Sequence, residues 1–196
     1  MRILAFTDPH TDGSCLEAVK HKSKQADLLI CCGDFTVFRN GMSEVLDFFD
    51  QIGKKMLIVH GNHEDEHRVA EECKKRKNLV FIHKKILMID NLIFIGWGGG
   101  GFAQTDHPFE SWYKSKEKEF KGKRMVLVVH QPPANTKIDF LEWAGHVGSK
   151  SFRQFMDKHK PALVLCGHLH ETFHMIDNVK DVAVLNPGPD GTLIEI

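Results

Sequence analysis

Val59-His60-Gly61-Asn62-His63-Glu64 closes the apolar run Lys55-Met56-Leu57-Ile58. A buried strand that ends in a Gly turn presents an amide and an imidazole together, and the C-terminal ends of strands are where open α/β sheets place ligands. Glu64-Asp65-Glu66 follow. Acidic residues suit the positive N-terminal end of a helix dipole, so a helix is expected to open there. Taken alone, the stretch also reads as a turn carrying a solvated histidine.

The same ending recurs along the chain. Ile3-Leu4-Ala5-Phe6 runs into Thr7-Asp8-Pro9-His10, and residues 27–32 run into Gly33-Asp34. Met125-Val126-Leu127-Val128-Val129 runs into His130-Gln131-Pro132-Pro133, and Ala162-Leu163-Val164-Leu165-Cys166 runs into Gly167-His168-Leu169-His170. Between the early strands the apolar spacing is helical. Leu16 and Val19 face inward from a helix capped within 11–14, and Val45, Leu46, Phe48 and Phe49 from one over 43–52. A charged helix then reaches about residue 77. This alternation predicts a layered α/β domain with largely parallel pairing. With no repeat or linker in view, a single domain over 1–196 is expected.

From Leu79 the rhythm shortens to strands at 79–82, 86–89 and 92–95, with Asp90-Asn91 as a hairpin turn. Gly98-Gly99-Gly100-Gly101 predicts a mobile loop; no Gly-Lys-Ser/Thr follows, so it is not a P-loop. A Lys-rich helix over 109–120 and another over 149–158 flank the irregular stretch 134–148, long enough to be functional. Closing antiparallel strands are expected at 172–176, 182–185 and 192–196.

The composition, 42% hydrophobic and 27% charged, is that of a soluble globular protein, and 196 residues suit one well-buried domain. Lys plus Arg equal Asp plus Glu at 26 each, so no global basic field draws nucleic acid. No signal peptide or membrane span is read, and a cytoplasmic location is expected. Five cysteines without CxxC spacing fit a reducing compartment and no structural zinc. Thirteen histidines exceed what a core needs. His21, His67, His83, His159 and His174 read as surface residues, and His146 as either a surface residue or one that reaches the site.

His60 and His107 are left open, and His10, His63, His130, His168 and His170 gather at strand ends with Asp8, Asp34 and Asn62. Asp-x-His and His-x-His spacings converge from extended chain, because residues two apart share a face. Carboxylate, imidazole and amide oxygen suit borderline divalent metals. The set is too large for one four-coordinate ion and is not the all-oxygen cage of calcium.

Asp8-Pro9-His10, Gly33-Asp34, Gly61-Asn62-His63-Glu64, His130 and Gly167-His168-Leu169-His170 stand in the order of the blocks of the calcineurin-like metallophosphoesterase superfamily, which the sequence therefore resembles. The resemblance implies a four-layer α/β/β/α sandwich, two packed mixed sheets flanked by helices. It also implies two divalent ions, manganese first, with iron, zinc, cobalt or nickel as alternatives. One ion would be held by Asp8, His10, Asp34 and His170, the other by Asp34, Asn62, His130 and His168, with Asp34 bridging. A water or hydroxide between the ions would be the nucleophile, and His63 the acid that protonates the leaving oxygen. Val37 and Phe38 stand where many members carry Asp and then Arg, with Arg39 one place later. That turns the resemblance from the protein-phosphatase branch toward the small bacterial and archaeal phosphodiesterase-like branch. The expected activity is phosphodiester hydrolysis, with a monoesterase or a non-catalytic scaffold as alternatives. The expected partner is a small phosphoester, with nucleic acid only a remote alternative, no membrane, and a homo-oligomer left open.

Overall fold

The computed structural model describes residues 1–196. Strands β1 (Arg2–Phe6), β2 (Leu28–Cys31), β3 (Met56–Ile58) and β4 (Leu79–Phe81) pair in parallel in that order, and β13 (Thr192–Glu195) joins β1 antiparallel. The second sheet runs β11 (Ile176–Val179), β12 (Val182–Leu185), β10 (Leu163–Leu165), β7 (Met125–Val129), β6 (Leu92–Trp97), β5 (Lys85–Ile89). Its interior pairs are parallel, and hairpin partners close both edges antiparallel. Helices α1 (Gly13–Ser23), α2 (Met42–Gln51) and α3 (Glu66–Lys74) belong with the first sheet, and α4 (His107–Phe120) and α5 (Lys150–His159) with the second. The result is an α/β/β/α sandwich.

The period of two along each strand builds the layers. In β1, Leu4 and Phe6 join the core under α1–α3, while Ile3 and Ala5 face the other sheet. In β7, Met125, Leu127 and Val129 pack under α4 and α5, while Val126 and Val128 turn inward. Each parallel strand is therefore buried on both faces, which is why it reads as a continuous apolar run. Cys31 and Cys32 take opposite faces of this arrangement, both fully buried.

Four local expectations are corrected. Residues 172–175 do not form a strand, which begins only at Ile176. A 3-10 turn over His170–Thr172 precedes β11, because Thr172 Oγ1 donates to Leu169 O and accepts from Asn186. The glycine run is anchored at its start rather than free: Gly98 is buried, its N–H donates to His83, and Gly99 N–H donates to His60 O at 2.7 Å. His83 is accordingly a buried residue, not a surface one, and the His159 side chain is likewise covered, packed on Tyr113, Phe120 and Phe155.

Candidate metal centre

The ends of β1, β2, β3, β7 and β10 meet at one edge of the sandwich, and the backbone there is unusual. Asp8, His10, Asp34 and His168 all take positive φ, at 52°, 43°, 47° and 72°. Side-chain-bearing residues seldom adopt that region, and such residues cluster where function demands it. The turn permits Asp8 N to reach Gly33 O at 3.0 Å and His10 N to reach Asp34 O at 3.2 Å. Glycine is required alongside: a Cβ on Gly61 would overlap the Asp34 carboxylate, and one on Gly167 would overlap Asp8 and Thr7.

Glu64 holds this backbone together. It does not open α3, whose N-cap is Asp65; it turns inward and is buried. Its carboxylate accepts from Asp34 N, Gly61 N and Thr36 N at 2.9 Å each and from Thr36 Oγ1 at 2.7 Å. The loops after β2 and β3 are thereby locked to each other. Glu64→Ala leaves these buried donors unpaired, at about 1–3 kcal/mol apiece. A loss of at least about 3 kcal/mol in chemical denaturation is expected, together with weaker metal binding.

The side chains fall into two groups whose potential ligand atoms lie within 4.8 Å of one another: Asp8, His10 and His170, and Asp34, His130 and His168. In the first group His10 Nε2 is 3.2 Å from His170 Nε2, and these nitrogens lie 3.9 and 3.6 Å from Asp8 Oδ1. In the second, His130 Nε2 is 3.3 Å from Asp34 Oδ2 and 3.0 Å from Asn62 Oδ1, so the exposed Asn62 joins it. His168 N donates to Asp8 Oδ2 at 3.0 Å and ties the groups together. His63 stands beside both, its ring 4.9 Å from that of His10 and its backbone N–H on Asp34 Oδ1 at 2.8 Å.

The donors suit a cation. Asp8 Oδ1 and His168 Nε2 are buried without a hydrogen-bond partner, one in each group. Such atoms cost about 1–3 kcal/mol each unless something satisfies them. His10 Nδ1 and His130 Nδ1 each face a carbonyl, Thr36 O and Cys32 O, at 2.9 Å. The carbonyls fix the proton on Nδ1 and turn Nε2 to the site, the usual arrangement behind a ligating imidazole.

Burial opposes ionisation of Asp34, yet His130 and the His63 N–H hold its pKa at about 2. Burial likewise opposes charge on Asp8, and His170, His130 and Thr7 keep its carboxyl below the usual range. Burial would also lower His130, but Asp34 and Asp8 raise it to about 9. Burial and His130 lower His168 to about 4, which leaves it a neutral imidazole at pH 7. A cation competing for Asp34 and Asn62 must displace the second proton of His130. Loading with Mn²⁺ at pH 7 is therefore expected to release at least about one proton per chain, with His170, raised by its bond to Asp8, adding to the share of His130. Apparent affinity should climb with pH until about 9 and then level. Calorimetry in buffers of different ionisation enthalpy measures this, and a proton count near zero contradicts it.

A third group, His60, Glu66 and His83, also holds buried nitrogens without a hydrogen bond, His60 Nδ1 and His83 Nε2, but is wired differently. His83 Nδ1 accepts from Gly98 N at 2.8 Å, so the proton of the neutral ring sits on Nε2, 3.3 Å from Glu66 Oε2. Lys84 holds the same carboxylate at 2.8 and 2.9 Å. A protonated nitrogen and an engaged carboxylate are poor ligands, and the group instead anchors the start of α3 to the glycine run. His146 lies outside the two metal groups; its Nδ1 is 2.7 Å from the buried Asp139 Oδ1.

Comparison with known proteins bears on the family and the fold. Residues 1–172 match the calcineurin-like phosphoesterase family. An uncharacterized protein of Methanocaldococcus jannaschii is 33% identical over 204 residues, covering 96% of this chain and 88% of its own. Among solved structures, a Thermus thermophilus protein superposes with a TM-score of 0.77 at 16% identity, covering 95% and 88% of the two chains. The phosphopantetheinyl hydrolase of Mycobacterium tuberculosis does so at 0.72 and 13%, with the same coverage of 95% and 88%. At those identities the two structures speak for the fold alone. The family match and the curated relative go further: the chain belongs to the calcineurin-like phosphoesterase family.

Proposed function

We propose that the protein is a metal-dependent phosphodiesterase acting on a small phosphodiester. The observation that carries this reading is the pair of donor groups, each with one buried atom that lacks a hydrogen bond. Asp8, His10 and His170 would hold one divalent ion, Asn62, His130 and His168 the other, and Asp34 would be shared. Manganese is the first choice, with iron, zinc, cobalt and nickel as alternatives. When bound, two such ions supply Lewis acidity toward phosphoryl oxygens and lower the pKa of a bound water.

The chain's own residues supply the rest. Asn62 offers a neutral oxygen, so the site keeps positive charge for the phosphate, and its NH2 can donate to a phosphoryl oxygen. His63 Nδ1 accepts from Phe38 N at 3.2 Å, which places the proton of the neutral ring on Nε2. Nε2 lies 3.9 Å from Asp34 Oδ2 and can hydrogen-bond a phosphoryl or leaving-group oxygen. To release a proton as an acid the ring must first hold two. That requires the Phe38 N–H to turn away from Nδ1.

Charge at the rim favours a diester. A monoester carries one more negative charge near neutral pH, and Arg153 is already engaged: its Nη1 donates to Ala134 O and Asn135 O at 3.1 and 2.8 Å, and its Nε to Asp157 at 3.0 Å. Arg39 and Lys137, both exposed, remain. The Mn²⁺-loaded protein is expected to hydrolyse bis-p-nitrophenyl phosphate with kcat/KM about tenfold above p-nitrophenyl phosphate, the worth of one missing charge-assisted contact. The reverse order favours a monoesterase. Silence on both, with two ions bound, favours a scaffold.

A further inference from the structure

Three phenylalanine rings stand over three imidazoles of the site. Phe38, 73% exposed, has its ring 4.5 Å from that of His63, and Phe102, 59% exposed, lies 4.8 Å from His168. The half-buried Phe173 stacks on His170 at 4.9 Å. One exposed apolar side chain is ordinary, but these come from three separate segments and surround one polar centre.

The two exposed rings are also held in place. Phe38 and Arg39 take φ of 47° and 70°, a bridge between Val37 and Asn40 closes their loop, and the Phe38 N–H is tied to His63. Backbone strain of this kind persists only where the surroundings enforce it. Phe102 lies between the glycine run, whose first residues are fastened to His83 and His60, and Ala103, whose carbonyl accepts from Gln131 Nε2 at 3.1 Å.

We propose that Phe38 and Phe102 form a subsite for a planar aromatic group carried by the phosphodiester. The proposal rests on the phosphodiesterase reading above. A ring face accepts any flat π-system without hydrogen-bond readout, so the subsite selects for flatness rather than for one particular base. Apolar rings beside the site also suit a monoanionic ester with a large uncharged substituent.

The test uses the full Mn²⁺-loaded chain and two diesters with the same ring-free leaving group, ethanethiolate: O-methyl S-ethyl phosphorothiolate and O-(1-naphthylmethyl) S-ethyl phosphorothiolate, the naphthyl ester. Wild type is expected to favour the naphthyl ester about tenfold in kcat/KM, mainly through KM, as for one stacked ring. Phe38→Ala and Phe102→Ala should each bring that ratio toward one. Trp143→Ala, at a 76% exposed aromatic between β8 (Phe140–Leu141) and β9 (Gly145–His146), should keep it. Binding of the unreactive methyl 1-naphthylphosphonate against methyl methylphosphonate, by calorimetry, should follow the same order.

Equal rates and equal binding of the two members of each pair in wild type overturn the subsite. So does a ratio that survives both Phe substitutions, or a ratio lost through altered self-association. Aromatic preference in phosphonate binding with neither ester hydrolysed supports the subsite and overturns the phosphodiesterase reading instead.

Discussion

Asp34→Asn is expected to abolish tight binding of both metal ions and to lower kcat by at least about 10³-fold. The magnitude follows because Lewis-acid stabilisation amounts to several kcal/mol and each 1.4 kcal/mol is about tenfold. Asp34 is the anionic member of its group, with His130 3.3 Å from Oδ2 and the His63 N–H on Oδ1 at 2.8 Å. The substitution keeps the shape but replaces one oxygen by NH2, which repels a cation and presents hydrogens to His130. It also removes the main charge that raises His130, so the imidazole should titrate below about 9. The backbone link from residue 34 N to Glu64 is unaffected, so the fold should persist. Elemental analysis after Mn²⁺ saturation, paired with circular dichroism, separates the outcomes. Wild type should hold close to two ions, and a folded D34N protein that still holds two sinks the sharing of Asp34 between the groups.

The framework of this site was legible because every contributing strand has the same written form, an apolar run followed within three residues by Asp, Asn or His. The parallel strands are buried on both faces, so nothing polar interrupts them until they emerge at the edge where ligands are placed. What stayed hidden depends on contacts across the chain. Glu64 looks like a helix-opening acid, and only the approach of a loop 30 residues earlier makes it the acceptor for Asp34 N. His83 precedes two lysines and so reads as surface, yet packing under Trp97 and Gly98 buries it. Thr172 to Ile176 alternates like a strand, but side-chain hydrogen bonds to Leu169 and Asn186 tighten its start into a 3-10 turn. In each case a polar side chain found a partner that local sequence does not contain.

His63→Ala is expected to cut kcat by about 10² to 10⁴, the range for losing a proton-donating group, while metal content stays near wild type. The alanine variant retains the backbone N–H to Asp34, and the remaining donors are untouched. How the loss depends on the leaving group separates two roles for the ring. As an acid, His63 matters most for an alkyl or nucleoside ester, whose alkoxide leaves poorly, and least for p-nitrophenolate. As a fixed Nε2–H donor, it slows both ester types alike. The bond from Phe38 N to Nδ1 links these roles to the loop after β2, since a second proton on the ring requires that N–H to withdraw. The backbone of residue 38 offers a handle. Replacing its amide by an ester, with phenyllactic acid in place of Phe38, removes the N–H and keeps both the ring and the positive φ. An acid role predicts that kcat for the alkyl ester rises relative to that for the p-nitrophenyl ester in this variant, because Nδ1 no longer faces an N–H. A donor role predicts no change in that ratio, because the neutral ring already holds its proton on Nε2. Loss of metal from the H63A protein would contradict both and make His63 a ligand or the support of one.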